Sequence, residues 1–347
     1  MSGGRVATVA KPHQLDISAT EVPAPAPGHV VVKIRYCGVC GTDVHGFATP
    51  EMLPPAVFGH EWTGTVVAAG PAVGTVTVGQ RVTVAVGPPC GTCAMCRAGY
   101  AEQCDTAFAE ANGVTPDAPT HGGFATHLAV SERRVVPVLD ELSDEQAGLV
   151  EPTAVTFHAV KRTAFRLGST VVVQGAGPIG LLTAQHARAA GAGRTIISEP
   201  VEARRQAARA VGFTEVFEPG NGFTDAILEA TAGLGADVVF ECTGVAGLLQ
   251  PSASLVRRGG TLSLLGYPIT DSSVSYGDWQ SRELRVIGSL AYNHEDFLGA
   301  MRALASGAVD VAPLITGTVG LDGLAEVLTD LASGNTSHAK VLVDPER

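Results

Sequence analysis

The sequence predicts a two-domain α/β protein that joins an irregular, mostly antiparallel β domain to a domain with a parallel sheet. Its 347 residues exceed what one ordinary core holds. The N-terminal part alternates short β-rich runs with turns. From Thr170 onwards, strand-like runs alternate with helical segments, which is typical of right-handed βαβ units and a parallel sheet.

Composition and charge exclude several classes of partner. Apolar residues make up 45% of the chain and aromatic residues 5%, and there are 42 glycines, as in a compact α/β enzyme. The formal net charge of −11 argues against a nucleic acid or an anionic membrane, which both require basic patches. The sequence lacks both an apolar run of about eighteen residues and a signal-peptide pattern. We therefore expect a soluble, cytoplasmic protein.

The first domain follows from β-rich runs bounded by glycine and proline. Strands are predicted at residues 30–34, 62–70, 79–86 and 122–130. Pro23, Pro25 and Pro27 prevent a helix between an earlier short apolar run at 6–9 and the first of these strands. Residues 106–120 are polar and predict a loop. Ser143 and Gln146 have the spacing of a capping box, and a helix is predicted over 153–165.

The stretch from Cys37 to Glu61 contains the residues that indicate a catalytic function most clearly. A catalytic zinc takes about three protein ligands from sulfur, nitrogen and carboxylate oxygen and leaves one position open. Cys40, His60 and a carboxylate meet that requirement. Taken singly, Cys40 can also be a small buried apolar residue and His60 an ordinary loop histidine.

Four cysteines lie in one short lobe, residues 88–105. Two residues separate Cys90 from Cys93 and Cys93 from Cys96, and a longer loop leads to Cys104. Four thiolates at this spacing can surround one tetrahedral ion. Such a site leaves no position for substrate, so its role is structural. The alternative, a redox dithiol, has no use for four cysteines.

A glycine-rich turn opens the second domain. Gly175, Gly177 and Gly180 follow a short apolar strand, and Pro178 and Ile179 begin a helix. This order is the dinucleotide fingerprint. The first glycine permits a tight turn, the second lets the backbone approach the pyrophosphate, and the third lets helix and strand pack closely. The helix N-terminus then offers N–H groups to the phosphates.

Glu199 ends the next strand, where a carboxylate can accept hydrogen bonds from the adenosine ribose. The same charge repels a 2′-phosphate, so NAD is favoured over NADP. Arg204 and Arg205 keep NADP open, because a nearby arginine can bind that phosphate. Further strands are predicted at 235–241, 260–266 and 285–288.

Together these motifs resemble the zinc-containing medium-chain alcohol dehydrogenases over essentially the whole chain. The resemblance implies a GroES-like, mostly β catalytic domain over 1–152 and 291–347 and a Rossmann-type, doubly wound cofactor domain over 153–290. It implies two Zn²⁺ per chain, one catalytic and one structural in the cysteine lobe, and homodimers or homotetramers. In similar proteins the Arg204 position is commonly basic, and the turns at Gly266 and Leu290 border the nicotinamide.

The implied reaction is reversible hydride transfer between an alcohol carbon and NAD. Thr42 can take the alcohol proton and His45 can pass it to water. The alternatives are a helix-capping hydroxyl for Thr42 and a solvated loop residue for His45.

The third ligand of the catalytic zinc stays open at this point. Ethanol-type members of the family have a cysteine where this chain has Glu151, and a carboxylate there resembles the polyol, threonine and butanediol dehydrogenases. Glu61 and Glu151 are both candidates, and both can bind at once by exchange. Glu61 can alternatively be a structural carboxylate that holds an arginine. Gly41 replaces a residue that is often basic in ethanol-type members, which again favours the polyol branch.

The sequence thus predicts a zinc- and NAD-dependent dehydrogenase for a secondary alcohol of a small polar molecule, such as a polyol, sugar alcohol, aminocyclitol or diol. A threonine-type amino-alcohol or an aldehyde dehydrogenase is the alternative activity. A non-catalytic NAD-binding sensor is a different class, which the intact set of candidate residues argues against. Cys37 and Cys242 are expected to pack in the core.

Overall fold

Two units, each with its own sheet, make up the chain in the computed structural model, which describes residues 3–49, 58–112, 122–163, 165–334, 336 and 338–347. The first unit comprises Met1–Glu151, Asn293–Met301 and Ile315–Arg347, and the second comprises Pro152–Tyr292 and Arg302–Leu314. Residues 302–314 thus group with the second unit rather than with the tail of the first. One reason is that the Gln185 side chain donates to the Asp310 carbonyl at 2.9 Å and accepts from the Asp310 amide at 2.8 Å.

The strands, in chain order, are β1 (Gly4–Lys11), β2 (Gln14–Thr20), β3 (His29–Gly38), β4 (Glu61–Ala69), β5 (Arg81–Val84), β6 (His127–Ser131), β7 (Val135–Pro137), β8 (Thr170–Gln174), β9 (Arg194–Ser198), β10 (Val216–Phe217), β11 (Ala236–Glu241), β12 (Val256–Leu264), β13 (Arg285–Gly288), β14 (Ile315–Val319) and β15 (Lys340–Val343).

The helices are α1 (Gly41–Ala48), α2 (Ala94–Arg97), α3 (Asp105–Asn112), α4 (Asp144–Ala147), α5 (Val150–Thr163), α6 (Pro178–Ala189), α7 (Glu202–Ala210), α8 (Asn221–Ala230), α9 (Leu249–Leu255), α10 (Tyr276–Ser281), α11 (His294–Ala305) and α12 (Leu324–Ser333). No helix in the described ranges combines the length and the hydropathy that a membrane span requires.

The first unit is built around β3. Its sheet runs in the order β14-β15-β3-β4-β5-β7, and β6 also pairs with β3. All of these pairs are antiparallel except β14 with β15. The side chains of Val30, Val32 and Ile34 are buried at its centre. Because β4 and β15 flank the same end of β3, the start of each lies close to Gly38.

The second unit contains a parallel sheet in the order β10-β9-β8-β11-β12-β13. The order reverses between β8 and β11, which is the switch point at which doubly wound folds bind ligands. β8 is buried along Val171, Val172 and Val173 because helices cover both faces of a parallel sheet. The predicted α/β class, with a mostly β domain and a doubly wound domain, is confirmed.

Two local predictions have different outcomes. The capping box is confirmed: the Ser143 hydroxyl accepts from the Gln146 amide at 3.2 Å, and the Gln146 side chain accepts from the Ser143 amide at 3.0 Å. The loop predicted over 106–120 is wrong at its start, where α3 forms. The Cys104 thiol accepts from the Ala107 amide at 3.4 Å and so satisfies the first turn of that helix. Residues 113–120 lie outside the described residues.

Candidate active site and cofactor site

Cys40, His60 and Glu61 come together in the first unit. Cys40 is the N-cap of α1, and His60 and Glu61 lie at the start of β4. One ligand atom from each of the three lies within 4.8 Å of the others. Sulfur, nitrogen and carboxylate oxygen together form a donor set that suits zinc and leaves a coordination position open.

Asp43 joins the two segments that carry these ligands. Its buried carboxylate accepts from the Cys40 amide at 2.8 Å and from the Gly59 amide at 2.8 Å. Its Oδ1 lies 3.8 Å from Nδ1 of His60. Burial raises the pKa of Asp43. The sequence analysis missed this residue, although its position three after the N-cap Cys40 is that of a capping-box acid.

The electrostatic environment of His60 favours a cation. Burial alone lowers the pKa of His60, but the nearby Cys40, Asp43 and Glu151 raise it to a value well above the ordinary one. A positive charge is therefore stabilised at this position, either as a proton on the imidazole or as a bound metal ion.

Glu61 also forms an ion pair with a residue outside the ligand set. Nζ of Lys340, the first residue of β15, lies 2.8 Å from Oε1 and 2.7 Å from Oε2 of Glu61. Both side chains are buried. The alternative interpretation of Glu61 is a structural carboxylate paired with an arginine, and its partner is instead a lysine. Glu61 nevertheless stays close to Cys40 and His60.

Glu151 is the second residue of α5 and is half-buried. It is close enough to raise the pKa of both His60 and Lys340. It does not belong to the group whose ligand atoms lie within 4.8 Å of one another in the described part of the chain. The geometry therefore brings Glu61 to Cys40 and His60, with Glu151 as a further negative charge nearby.

The two candidate proton carriers lie on α1. Oγ1 of Thr42 is 3.6 Å from Sγ of Cys40. His45 follows on the same helix and is half-buried. Thr42 therefore borders the ligand set directly, and His45 is one turn away from it.

The cysteine lobe forms a second donor set. The Sγ atoms of Cys90, Cys93, Cys96 and Cys104 lie within 4.8 Å of one another. Backbone amides point at these sulfurs, including the Cys93 amide at 3.2 Å from Cys90 and the Cys96 amide at 3.5 Å from Cys93. Hydrogen bonds from Thr106 and Thr92 lower the pKa of the Cys90 thiol to about 5, whereas burial raises the pKa of the Cys96 thiol to about 12. Four sulfurs gathered in this way fit a tetrahedral zinc that has no open position.

Cys37 and Cys242 belong to neither donor set. Cys37 is buried in the core of the first unit. Burial raises the pKa of Cys242, whose Sγ lies 3.9 Å from Oγ1 of Thr183. Neither thiol is an activated nucleophile, because a nucleophilic cysteine requires a lowered pKa.

The glycine turn in the second unit has the geometry of a phosphate-binding loop. Gly175 has φ of +90°, a conformation that side chains other than glycine rarely adopt. Gly177 is the N-cap of α6, with Pro178 as its first residue and Ile179 next. A Cβ added at Gly180 would lie 1.9 Å from the Gly175 carbonyl oxygen, so only glycine fits there.

Glu199 is buried and attached to the glycine turn. Its Oε2 accepts from the Ala176 amide at 2.7 Å, and its Oε1 accepts from the Val201 amide at 2.9 Å. Arg205 donates to the carbonyls of Glu199 and Pro200 at 2.8 Å and 2.7 Å. Each carboxylate oxygen keeps a second lone pair that can accept from a ribose hydroxyl.

The remaining predicted cofactor residues lie on α7 and on the turns after β12 and β13. Arg204 is half-buried on α7, and Leu290 is exposed. Gly266 packs against the turn after β11, where an added Cβ would lie 2.0 Å from the Gly244 amide nitrogen. Glu241 holds both turns: its carboxylate accepts from the Thr243 and Gly244 amides, and its carbonyl accepts from the Gly266 amide. The sequence analysis did not single out Glu241.

Comparison with protein-family models gives two matches that together span most of the chain. Residues 26–140 match the alcohol dehydrogenase GroES-like domain, and residues 178–306 match the zinc-binding dehydrogenase domain.

Whole-length relatives agree with these matches. A sorbitol dehydrogenase of Bacillus subtilis is 31% identical over 342 residues, which is 96% of this chain and 95% of the relative. An (R,R)-butanediol dehydrogenase of Neisseria gonorrhoeae is 32% identical over 354 residues, which is 95% of this chain and 97% of the relative. A solved structure from Sinorhizobium meliloti is described as a zinc-binding dehydrogenase and contains bound NADP. It is 32% identical to this chain with a TM-score of 0.87, and the match covers 99% of this chain and 100% of that chain.

Proposed function

The chain belongs to the zinc-containing medium-chain alcohol dehydrogenases, and we propose that it transfers a hydride between NAD(H) and the secondary alcohol or ketone of a small polar substrate. The substrate class is a polyol, sugar alcohol, aminocyclitol or diol. The observation that most supports the proposal is the close approach of the ligand atoms of Cys40, His60 and Glu61, a donor set that leaves one coordination position open. The relatives that act on sorbitol and butanediol support the polar substrate.

Zinc supplies Lewis-acid chemistry at the alcohol oxygen when bound, and NAD supplies the hydride acceptor. Cys40, His60 and Glu61 would hold the zinc, and Glu151 would exchange with Glu61 or act through water. Thr42 would accept the hydroxyl proton, and its position 3.6 Å from the Cys40 sulfur supports that role. His45 would carry the proton to water, because an imidazole titrates near neutral pH.

The cysteine lobe would hold the second zinc in a purely structural role. The convergence of four sulfurs and the backbone amides directed at them support this assignment. We place this lobe and the active-site residues in a catalytic domain and the glycine turn in a cofactor domain, which follows the two units.

We propose NAD as the preferred cofactor. The buried charge of Glu199 would repel a 2′-phosphate, and the Arg205 guanidinium is occupied by two carbonyls and by Glu202, with Nη2 2.8 Å from the Glu202 carboxylate. The NADP-bound relative argues for testing both cofactors. The ratio of kcat/KM for NAD to that for NADP should exceed about ten, in the range expected for losing or gaining one charged contact. A preference for NADP would contradict the assignment.

We further propose a cytoplasmic homodimer or homotetramer. The edge strand β13 carries the exposed Val286, and the exposed Leu290 follows it, which supports pairing of two copies along this edge.

Two alternatives remain testable beside this proposal. An amino-alcohol or aldehyde dehydrogenase would use the same ligand set with a different pocket. A non-catalytic sensor would bind NAD without turnover, and the intact set of Cys40, Thr42, His45, His60 and Glu151 argues against it.

NAD reduction, followed by absorbance against a panel of polyols, inositols, aminocyclitols, 2,3-butanediol, threonine and simple alcohols, tests the proposal. We expect activity with at least one polar secondary alcohol, and loss of that activity with a zinc chelator. Metal analysis should find two zinc ions per chain. Activity that survives removal of the catalytic zinc would contradict the mechanism, and threonine as the best substrate would favour the first alternative.

A further inference from the structure

We propose that Lys340 is a positioning residue of the catalytic metal site, whose ammonium group orients the Glu61 carboxylate toward Cys40 and His60. The inference rests on the proposed zinc at that site. Lys340 lies 279 residues from Glu61 in the sequence and reaches it because β15 returns to the sheet of the first unit.

The contacts of Lys340 use its whole hydrogen-bonding capacity. Nζ lies 2.8 Å and 2.7 Å from the two Glu61 oxygens and 2.8 Å from the Val39 carbonyl oxygen. An ammonium group has three donors, and all three are used. The Lys340 side chain is 4% exposed and that of Glu61 is 1% exposed. The carboxylate is therefore held in one orientation, while each oxygen keeps a lone pair for a metal ion.

Gly38 provides the space in which the pair forms. It lies at the end of β3, opposite Glu61 on one side and Leu342 on the other. A Cβ at this position would lie 2.2 Å from Oε2 of Glu61. A side chain there would therefore displace the carboxylate from Lys340 and from the ligand set, although it would change no charge.

Charge balance gives the lysine a second effect. A Cys40 thiolate together with Glu61 and Glu151 carries three negative charges, and the buried Asp43 carboxylate lies 3.8 Å from His60. A zinc ion alone does not neutralise this group, and the Lys340 ammonium supplies a further positive charge. A buried charge without a partner is costly, so the lysine lowers the free energy of the loaded site.

The test compares zinc affinity in Lys340→Met, Lys340→Arg and Lys33→Met. Lys33 is a matched control, because it lies on β3 and forms an exposed ion pair with Glu346 at 2.8 Å. Competition with a chelator of known affinity measures the dissociation constant of each site, and the four-cysteine site serves as an internal reference. We expect Lys340→Met to weaken zinc binding at the catalytic site about 10- to 100-fold, as loss of a partner that orients a ligand does. Lys340→Arg should recover most of the affinity, and Lys33→Met should have no effect.

A spectroscopic readout separates positioning from simple loss of fold. With Co²⁺ in the catalytic site, the ligand-field bands should shift in Lys340→Met, while the bands of a cobalt-loaded cysteine site stay unchanged. Unchanged catalytic bands and affinity in Lys340→Met would overturn the inference. Tighter zinc binding would also overturn it, because the lysine would then compete with the metal for Glu61.

Gly38→Ala provides a second variant in case Lys340→Met fails to fold. It should weaken zinc at the catalytic site in the same way, with Gly74→Ala as its control because an added Cβ at Gly74 meets nothing within 4 Å. Full zinc affinity in Gly38→Ala would contradict the positioning role. If the wild-type protein itself binds zinc only in the cysteine lobe, the proposed function fails and this inference fails with it, whereas two zinc ions in the wild type and unchanged affinity in Lys340→Met would overturn the inference alone.

Discussion

Thr42 is the residue on which proton transfer depends in the proposed reaction. Its hydroxyl lies beside the Cys40 sulfur, and a valine would fill the same volume without donating or accepting a proton. We expect Thr42→Val to lower kcat by roughly 10²- to 10⁴-fold, the usual loss for a general acid–base group. Zinc content and NADH affinity should stay unchanged, and Thr42→Ser should keep most of the activity. Single-turnover measurements check this, and a kcat within about threefold of wild type would exclude the role.

His186 gives the second unit a pH-dependent stability. It is 5% exposed, its Nδ1 lies 2.9 Å from Oγ1 of Thr156, and the Phe157 ring packs edge-on at 5.5 Å. Nε2 has no hydrogen-bond partner among the described residues. Burial therefore lowers the pKa of His186 to about 4.

Because this pKa is lowered in the folded protein, the unfolded chain binds the proton more tightly. The associated stability is fully present above about pH 6.5, the ordinary value for histidine, and is lost as the pH falls from there towards 4. Between pH 7.5 and 5.5 the wild type should lose about 1 kcal/mol more of its free energy of unfolding than His186→Gln does. Urea denaturation of the zinc-loaded proteins at both pH values measures the difference. Equal losses would show that His186 is not the group responsible.

The candidate metal ligands were predictable from the sequence, whereas the residues that hold them, Asp43 and Lys340, were not. Cys40 and the four-cysteine lobe stand out because metal chemistry restricts residue type and spacing. Lys340 has no such signal, since its role depends on β15 pairing with β3 after an intervening unit. The sequence also does not reveal that Glu61 rather than Glu151 lies with Cys40 and His60, because both are carboxylates on segments that the sequence places only approximately.

At the scale of elements, the turn between β8 and α6 shows most directly how local sequence determines backbone structure. Position 180 should tolerate no side chain. A Cβ added at Gly180 would lie 1.9 Å from the Gly175 carbonyl oxygen and would force α6 away from β8. We expect Gly180→Ala to lower both the melting temperature and the NADH affinity, the latter at least about tenfold. Fluorescence titration with NADH and thermal unfolding measure the two effects.

Two other glycines provide controls for this prediction. A Cβ at Gly177 meets nothing within 4 Å, so Gly177→Ala should fold normally and lose only cofactor affinity where the backbone approaches the pyrophosphate. Gly222, on α8, is equally unhindered, and Gly222→Ala should affect neither measurement. If all three variants bind NADH alike, the glycine turn is not the phosphate site.

The elements that the sequence predicted poorly owe their structure to contacts rather than to propensity. The polar segment after Cys104 predicted a loop, yet α3 begins there because the Cys104 thiol accepts an amide of its first turn. By contrast, β8 contains a run of three valines and ends at the residue before Gly175, and this pattern is local enough to predict.

At the scale of the whole molecule, the chain leaves the first unit after Glu151, returns to it at Asn293–Met301, and returns again through β14 and β15. This return completes the sheet around β3 and places Lys340 beside Glu61. The candidate metal ligand Glu61 is thus in contact with the last described strand, β15. The order of motifs along a sequence does not reveal such a contact, because strand pairing between distant segments is set by the packing of the whole sheet.

Association of copies of the chain into an oligomer also belongs to the scale of the whole molecule. Val286 is 40% exposed on β13, the edge strand of the parallel sheet, and an unpaired apolar edge invites pairing with a second copy. We expect the wild type to be a dimer or tetramer by light scattering and Val286→Asp to shift it to the monomer, because the two-fold contact would bury two like charges. Val78→Asp is the control, since Val78 is 61% exposed and belongs to the first unit rather than to the parallel sheet. A monomeric wild type, or a Val286→Asp variant that keeps the wild-type mass, would show that β13 is not the subunit contact.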